Sequence, residues 1–308
     1  MPRIVVLSGG CSSERDVSLR SGKAVADALR SQKFDVHEID LLREALPDGL
    51  SPERDVIFPV LHGGFGENGS LQALLERGGF AYAGCDSSSS HLCMDKAHTR
   101  LAVATAGVPL AKCVVLEAGP HEFSAPDLIA ELGEELVVKP SCEGSSVGLS
   151  FLRGVPELEQ WLVRPRRGVW LVEQRIHGHE LTCGILNGKA MGVVEIAPMS
   201  GVYDYASKYT PGSTQYLFPA PISAHSASLV RKYSEAAFAA CSCRDVSRAD
   251  FILPDGAEPV FLEINTMPGM TATSLLPKSA SCEGLSFEAL VRRMVEPALE
   301  RFSLLSTV

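Results

Sequence analysis

The sequence predicts a mixed fold, with an α/β lobe on a parallel sheet at the N-terminus followed by α+β lobes on antiparallel strands. Three observations carry this. Strand-like and helix-like segments alternate over the first third of the chain, the pattern of a parallel sheet with helices on its faces. In the middle, two apolar runs flank a Gly/Ser-rich loop, as an antiparallel pair with a mobile tip would. Near the C-terminus two further apolar runs meet at Asp255-Gly256, a hairpin signal. The 308 residues exceed one ordinary domain and suggest two or three lobes of roughly 100 residues each. We place them at 1–94, 95–173 and 174–308.

In order, Arg3 to Leu7 reads as a strand. Ser13 with Asp16 matches a capping box, opening a helix that puts Val17, Ala24, Val25, Ala28 and Leu29 near one face. Val36 to Ile39 and Val56 to Leu61 are strands, Leu71 to Leu75 is helical, and Phe80 to Ala83 is strand again. Leu136 to Lys139 and Leu149 to Leu152 form the middle pair, followed by a helix at Leu158 to Val163 and a strand at Val169 to Val172. Strands near Leu181 to Leu186 and Met191 to Ile196 precede a long irregular stretch, Pro198 to Pro221. A helix over Ala227 to Cys241, the hairpin, and an amphipathic helix at Phe287 to Phe302 complete the chain.

The 45% hydrophobic content suffices for real cores and excludes a disordered chain. A formal net charge of -9 argues against nucleic acid or an anionic membrane as the main partner, though not against a phosphate ligand held by local cations. The first residues carry only a four-residue apolar run, short of a signal peptide or a membrane helix. Nine scattered cysteines without a C-x-x-C read as reduced thiols, so a cytoplasmic protein is expected.

The hairpin carries the strongest chemistry. Side chains alternate faces along a strand, so Arg248 shares a face with Asp250, and Glu263 with Asn265. A symmetric turn sets Asp250 opposite Glu263 and Arg248 opposite Asn265, with opposed Cβ atoms roughly 4.5–5.5 Å apart. Carboxylates that close repel unless a cation or proton lies between them. Asp, Glu and Asn offer hard oxygen donors, suited to Mg²⁺ rather than zinc. Phe251, Leu253, Phe261 and Leu262 are expected to pack the other face, although Leu262 breaks alternation with Phe261. An exposed polar hairpin is the bland alternative; Arg248, Asn265 and the following Thr-Met-Pro-Gly-Met-Thr loop favour a metal site.

A second feature is Lys139-Pro-Ser-Cys-Glu-Gly-Ser-Ser-Val-Gly148. A lysine at a strand end before small residues can offer a cation, hydroxyls and backbone N–H groups to phosphates. It is not a Walker A loop, and taken alone it is as readily a plain surface loop. Gly64-Phe-Gly-Glu-Asn-Gly69 fits G-x-G-x-x-G, with Asp86 near the dinucleotide-binding distance. The nicotinamide-dependent oxidoreductase this implies is disfavoured. The match falls on a late strand, and Glu67 would set a negative charge beside the pyrophosphate.

These segments occur together, and in this order, in one family. The chain resembles the D-alanine–D-alanine ligases of the ATP-grasp superfamily over nearly its whole length. The matching segments are Gly9-Gly-Cys-Ser-Ser-Glu14-Arg-Asp-Val-Ser-Leu19, His62-Gly-Gly-Phe-Gly-Glu-Asn-Gly69, Met94-Asp-Lys96 and Lys139 to Gly148. Tyr203-Asp-Tyr-Ala-Ser-Lys208-Tyr209, Arg248-Ala-Asp250 and Glu263-Ile-Asn265-Thr-Met-Pro-Gly-Met-Thr271 follow. The resemblance implies an ATP-grasp fold, with central and C-terminal lobes clasping ATP. It implies a ligase that activates one D-alanine as an acyl phosphate and joins it to a second, for peptidoglycan precursor synthesis.

By the same resemblance, Lys96, Lys139, Ser146 and Lys208 would hold ATP phosphates or close over them. Glu173 and Ile176 would contact adenine, and Glu180 the ribose. Asp250, Glu263 and Asn265 would ligate two Mg²⁺ ions, with Mn²⁺ as a substitute. Glu14 would hold the first ammonium beside His62. Arg248 and the Gly269 N–H would face the oxyanion, and Ser274 and Leu275 would seat the second carboxylate. Ser145, Lys208 and Tyr209 would close the site, and a homodimer is implied. Cys142 and Gln174 depart from the charged residues expected beside the nucleotide, and the Cys142 thiol is expected to be alkylatable and protected by ATP. Within the superfamily, D-serine and D-lactate ligases are the rivals. Tyr209, a neutral phenol where lactate-using relatives would carry a histidine, favours D-alanine and excludes D-serine less well. A non-catalytic nucleotide sensor would lack cations or metal ligands, and none is lacking here.

Overall fold

In the computed structural model, which describes residues 2–117, 119, 123–199 and 212–305, the β-branched run at the N-terminus becomes β1 (Arg3–Gly9). It is the centre of a parallel three-stranded sheet, flanked by β2 (Val36–Leu41) and β3 (Asp55–Pro59). The expected strand at Phe80 to Ala83 reduces to a single parallel bridge between Tyr82 and Ile57. Helix α1 (Arg15–Ser31) crosses this sheet. Its buried face is rich in small residues, and a Cβ on Gly22 would lie 2.5 Å from that of Ser8, so only glycine permits this approach. Ser18 donates to the Val60 carbonyl and accepts from Gly9 N.

One expectation for α1 needs correction. The Ser13 capping box does not form: Glu14 occupies the N-cap position without a side-chain cap, because its carboxylate is engaged elsewhere. Ser12 instead braces this turn, accepting from Glu14 N and donating to the His62 carbonyl. Of the residues on the apolar face, Val25, Ala28 and Leu29 are buried, while Val17 and Ala24 line a cavity described below. A true capping box lies at Ser124 and Asp127, opening α5 (Ala125–Leu132).

After β3, a short 3-10 turn (Gly64–Gly66) leads into α2 (Ser70–Arg77), then α3 (Ser87–Met94) and α4 (Lys96–Thr105). The middle of the chain forms an antiparallel sheet in the order β4-β7-β5-β6. Its strands are β4 (Cys113–Glu117), β5 (Glu135–Pro140), β6 (Ser150–Arg153) and β7 (Val169–Gln174). Helices α5 and α6 (Gly154–Leu162) bury Leu128, Leu132, Leu158 and Trp161 against it.

The last sheet, also antiparallel, has the order β10-β9-β8-β11-β12. It comprises β8 (His179–Leu186), β9 (Lys189–Pro198), β10 (Thr214–Leu217), β11 (Val246–Leu253) and β12 (Val260–Asn265). Strand β10 falls within the stretch expected to be irregular, where sequence offered no apolar alternation. Helix α7 (Ala224–Ala240) packs Val230, Tyr233 and Phe238 on this sheet, and α8 (Leu275–Ser281) covers its other side at Leu276. Helix α9 (Phe287–Leu305) returns to the first sheet, where Leu290, Val291 and Met294 meet Ile4, Val6 and Val56. All nine cysteines are free thiols. No helix among the described residues is long and apolar enough to cross a membrane.

Candidate active site

The hairpin holds the expected register: Asp250 pairs with Glu263 and Arg248 with Asn265. The ladder then slips by one residue, so Phe251 opposes Phe261 and Leu262 forms a bulge. This explains the broken alternation and corrects one expectation. Phe251 and Phe261 are buried and pack edge to face at 5.7 Å, whereas Leu262 turns to line a cleft beside Glu263. Asp250 is nearly buried; Arg248 donates to it from Nε and Nη2 at 2.9 and 2.7 Å, and Thr182 Oγ1 donates at 2.5 Å. Glu263 Oε2 lies 3.3 Å from Lys96 Nζ. Each member of the opposed acid pair is therefore matched by a cation.

The donor set fits a hard divalent ion. Two opposed carboxylates and an amide oxygen suit a cation that takes its remaining ligands from phosphate and water. No group of three His, Cys, Asp or Glu that could hold a metal occurs among the described residues; the set here is two carboxylates and the Asn265 amide.

The hairpin floors a cavity of about 360 Å³ between the middle and last sheets. Lys96, Lys139, Ser146, Glu173, Ile176 and Glu180 all line it, with Asp250 and Glu263. Lys96 is set by its neighbours. Asp95 caps α4, accepting from Ala97 N and His98 N, and Ser141 Oγ donates to it at 2.5 Å. Burial would push the Asp95 carboxyl up, but the hydrogen bonds from Ser141 and His98 outweigh it and hold it at about 2. Lys96 Nζ also donates to the Glu143 carbonyl at 2.7 Å, tying α4 to the loop between β5 and β6. Lys139 Nζ lies 2.7 Å from Glu173 Oε2.

A second cavity, about 720 Å³, opens on the other side of Glu263. Glu14, His62, Ser145, Arg248, Asn265, Gly269, Ser274 and Leu275 line it. Ser145 Oγ donates to Glu14 Oε1 at 2.8 Å, so the loop after β5 reaches across to the N-terminal lobe. Ser145 and Ser146 both adopt positive φ, 51° and 59°, in this crossing. Gly63, at φ 73°, leaves room for the Glu14 carboxylate: a Cβ there would lie 3.0 Å from Oε2. His62 is buried, with Nδ1 3.6 Å from Glu67 and Nε2 3.4 Å from Ser21 Oγ. Lys96, Gly144 and Glu263 line both cavities, so the two meet beside the acid pair.

Of the glycine-rich segment at 64–69, Glu67 lines the second cavity and faces His62, and Asp86 caps α3 through Ser89 N. Neither residue is arranged for a dinucleotide. Gln174 lines the first cavity; Cys142 does not. Cys142 is exposed, and partial desolvation and the nearby Asp95 push its thiol up. Lys208 and Tyr209 lie outside the described residues. Sequence reading missed Thr182, whose place beside Asp250 depends on β8 pairing with β11, and Arg100, which donates to Glu173 at 2.8 Å. Arg100 stands four residues after Lys96 on a helix, a spacing that could have pointed to it.

The D-ala D-ala ligase C-terminus family model matches residues 102–296, and the D-ala D-ala ligase N-terminus model matches residues 45–85. The D-alanine--D-alanine ligase of Methylacidiphilum infernorum is 41% identical over 300 residues, 96% of this chain and 95% of that protein. This chain belongs to the D-alanine–D-alanine ligase family. An Anaeromyxobacter family member is 42% identical over 301 residues, 96% of each chain. The crystal structure of the Bacillus anthracis D-alanine--D-alanine ligase complexed with ATP superimposes with a TM-score of 0.84 at 30% identity, covering 99% of both chains. The VanG D-Ala:D-Ser ligase from Enterococcus faecalis gives 0.85 at 30% identity, covering 96% of this chain and 99% of its own. The fold is that of the ATP-grasp ligases, as the resemblance implied.

Proposed function

We propose that this chain joins two D-alanines into D-alanyl-D-alanine, converting ATP to ADP and phosphate, in cytoplasmic peptidoglycan precursor synthesis. The observation that carries this reading is the meeting of the two cavities at Lys96 and Glu263. A nucleotide in the first would end where an amino acid in the second begins.

A carboxylate is a poor electrophile because its leaving group would be oxide. One oxygen of the first D-alanine attacks the ATP γ-phosphorus, the bond to the ADP oxygen breaks, and an acyl phosphate results. In this scheme Lys96, Lys139 and Ser146 hold the phosphates, Glu173 and Ile176 the adenine, and Glu180 the ribose. Two Mg²⁺ ions, or Mn²⁺ in their place, held by Asp250, Glu263 and Asn265 would offset the phosphate charge. Glu14 binds the first ammonium, with His62 behind it.

Ser274 and Leu275 seat the second carboxylate, and the second amine attacks the acyl carbon once neutral. The Glu14–Ser145 hydrogen bond, with Tyr209, is the candidate route for its proton. Arg248 and the Gly269 N–H stabilise the tetrahedral oxyanion, such donors being worth about 3–4 kcal/mol each, and phosphate then leaves. Acyl phosphates hydrolyse readily, so closure by the Ser145 loop and by Lys208 and Tyr209 serves to exclude water. The three lobes, 1–94, 95–173 and 174–308, supply the amino-acid, phosphate and metal sides of this site, and a homodimer is the expected assembly.

The test is phosphate release with ATP, Mg²⁺ and D-alanine, with the dipeptide identified by mass. ADP and D-alanyl-D-alanine are expected; NAD binding without ADP formation would reject the ligase reading. The D-serine ligase similarity keeps D-serine as the alternative second substrate. Offering D-serine or D-lactate with limiting D-alanine measures that choice, and equal use of D-lactate at neutral pH would remove the Tyr209 argument.

A further inference from the structure

Behind the first cavity, three charged side chains form a chain that the reaction above leaves partly unused. Arg100 follows Lys96 by one turn of α4, so both project from one helix face. Its Nη1 donates to Glu173 Oε1 at 2.8 Å, and its Nη2 donates to the Ala111 carbonyl. The other oxygen, Glu173 Oε2, lies 2.7 Å from Lys139 Nζ. Arg100, Glu173 and Lys139 are only 12%, 6% and 11% exposed. Glu173 and Lys139 line the cavity; Arg100 does not.

We propose that Arg100 is a positioning residue for the nucleotide, holding Glu173 so that Lys139 keeps its charge available to a phosphate. A lysine and a glutamate alone in this setting would form a neutral pair, and little solvent is present to weaken their attraction. A phosphate would then have to displace the carboxylate. A second cation on the same carboxylate divides its charge and leaves the trio net positive, with the lysine on the cavity side. Arginine suits the task because its planar fork is fixed at two points and stays charged at any working pH. The fixed carboxylate also cannot swing to follow Lys139 as that ammonium moves towards a phosphate.

This rests on the ligase reading, in that a nucleotide must occupy the first cavity. The test measures MgATP affinity by calorimetry and D-alanine KM by kinetics, for Arg100→Met and Arg100→Lys, and for Arg100→Met in a Glu173→Gln background. Arg100→Met is expected to weaken MgATP by about tenfold with D-alanine KM unchanged, and Arg100→Lys to recover most of that loss. With Glu173→Gln in place, adding Arg100→Met is expected to change affinity by no more than about twofold, because no carboxylate then competes for Lys139. Wild-type affinity in Arg100→Met, or an equal loss in both backgrounds, overturns the proposal. Should Arg100→Met alone fail to fold, the two proteins carrying Glu173→Gln decide: a further tenfold or so loss between them overturns it. Failure of the unaltered chain to bind MgATP would instead overturn the nucleotide reading beneath it.

Discussion

Asp250 stands directly across the β11–β12 ladder from Glu263, and each carboxylate is matched by a cation from a different place: Arg248 on the same strand, Lys96 from α4. Asp250→Asn or Glu263→Gln removes one of the two opposed charges while keeping side-chain size, although at Asp250 one of the two oxygens that accept from Arg248 becomes a donor. Either change is expected to lower ATP-dependent phosphate release by at least about a hundredfold, a loss typical of removing a charge-stabilising group. Circular dichroism and melting should stay near those of the unaltered protein. Near-normal turnover would mean that the acid pair is not a metal site.

The Ser145–Glu14 hydrogen bond links the loop after β5 directly to the N-terminal turn. A hydrogen bond to a charged group is worth about 1.5–3 kcal/mol. Ser145→Ala is therefore expected to reduce kcat/KM for D-alanine by about ten- to a hundredfold. MgATP affinity should change far less. Glu14→Gln should raise the KM of the first D-alanine most. Initial-rate kinetics over two D-alanine concentration ranges separates the two.

Acid stability follows from Asp55 and Asp95. Burial would raise the Asp55 carboxyl, but hydrogen bonds from Arg54, Arg3 and the Ser51 N–H overcome it and bring it from 3.8 to about 2. Asp95 is held at about 2 by Ser141 and His98 against the same burial effect. Both groups have folded values below their unfolded ones. Their stabilisation is thus complete above about pH 4 and is lost as pH falls through about 2, on the order of 2 kcal/mol for buried Asp55. Urea midpoints measured from pH 5 to pH 2 should fall in that window, and Asp55→Asn should flatten the fall.

Adjacent residues on β12 should separate stability from binding. Phe261 is buried against Phe251, so Phe261→Ala is expected to cost about 3–5 kcal/mol in urea unfolding. Leu262, turned into the cleft by the bulge, packs no core. Leu262→Ala should cost under about 1 kcal/mol of stability and raise the KM for ATP several-fold. Equal destabilisation by the two changes would mean that the bulge is not present in solution.

The hairpin register was readable because side-chain alternation has a period of two, which forces Asp250 and Glu263 onto one face once the turn is placed. The same rule failed at Leu262, since a bulge breaks the period and no residue pattern announces it. Strands β4 and β10 and the helices α3, α4, α5 and α8 went unread, most being short; α3 begins with four serines. The capping motif at Ser13 was misleading because a local signal cannot tell that Glu14 has a partner 131 residues away.

By itself the sequence determined the chemistry on offer: which lysines, carboxylates and hydroxyls exist, and which of them a single strand or loop must present together. That follows from the fixed periods of strand and helix. Only the tertiary structure decided which of these groups meet. The joining of Lys96 to Glu263, of Ser145 to Glu14 and of Arg100 to Glu173 depends on how three sheets pack, and packing is set by side chains far apart in the chain.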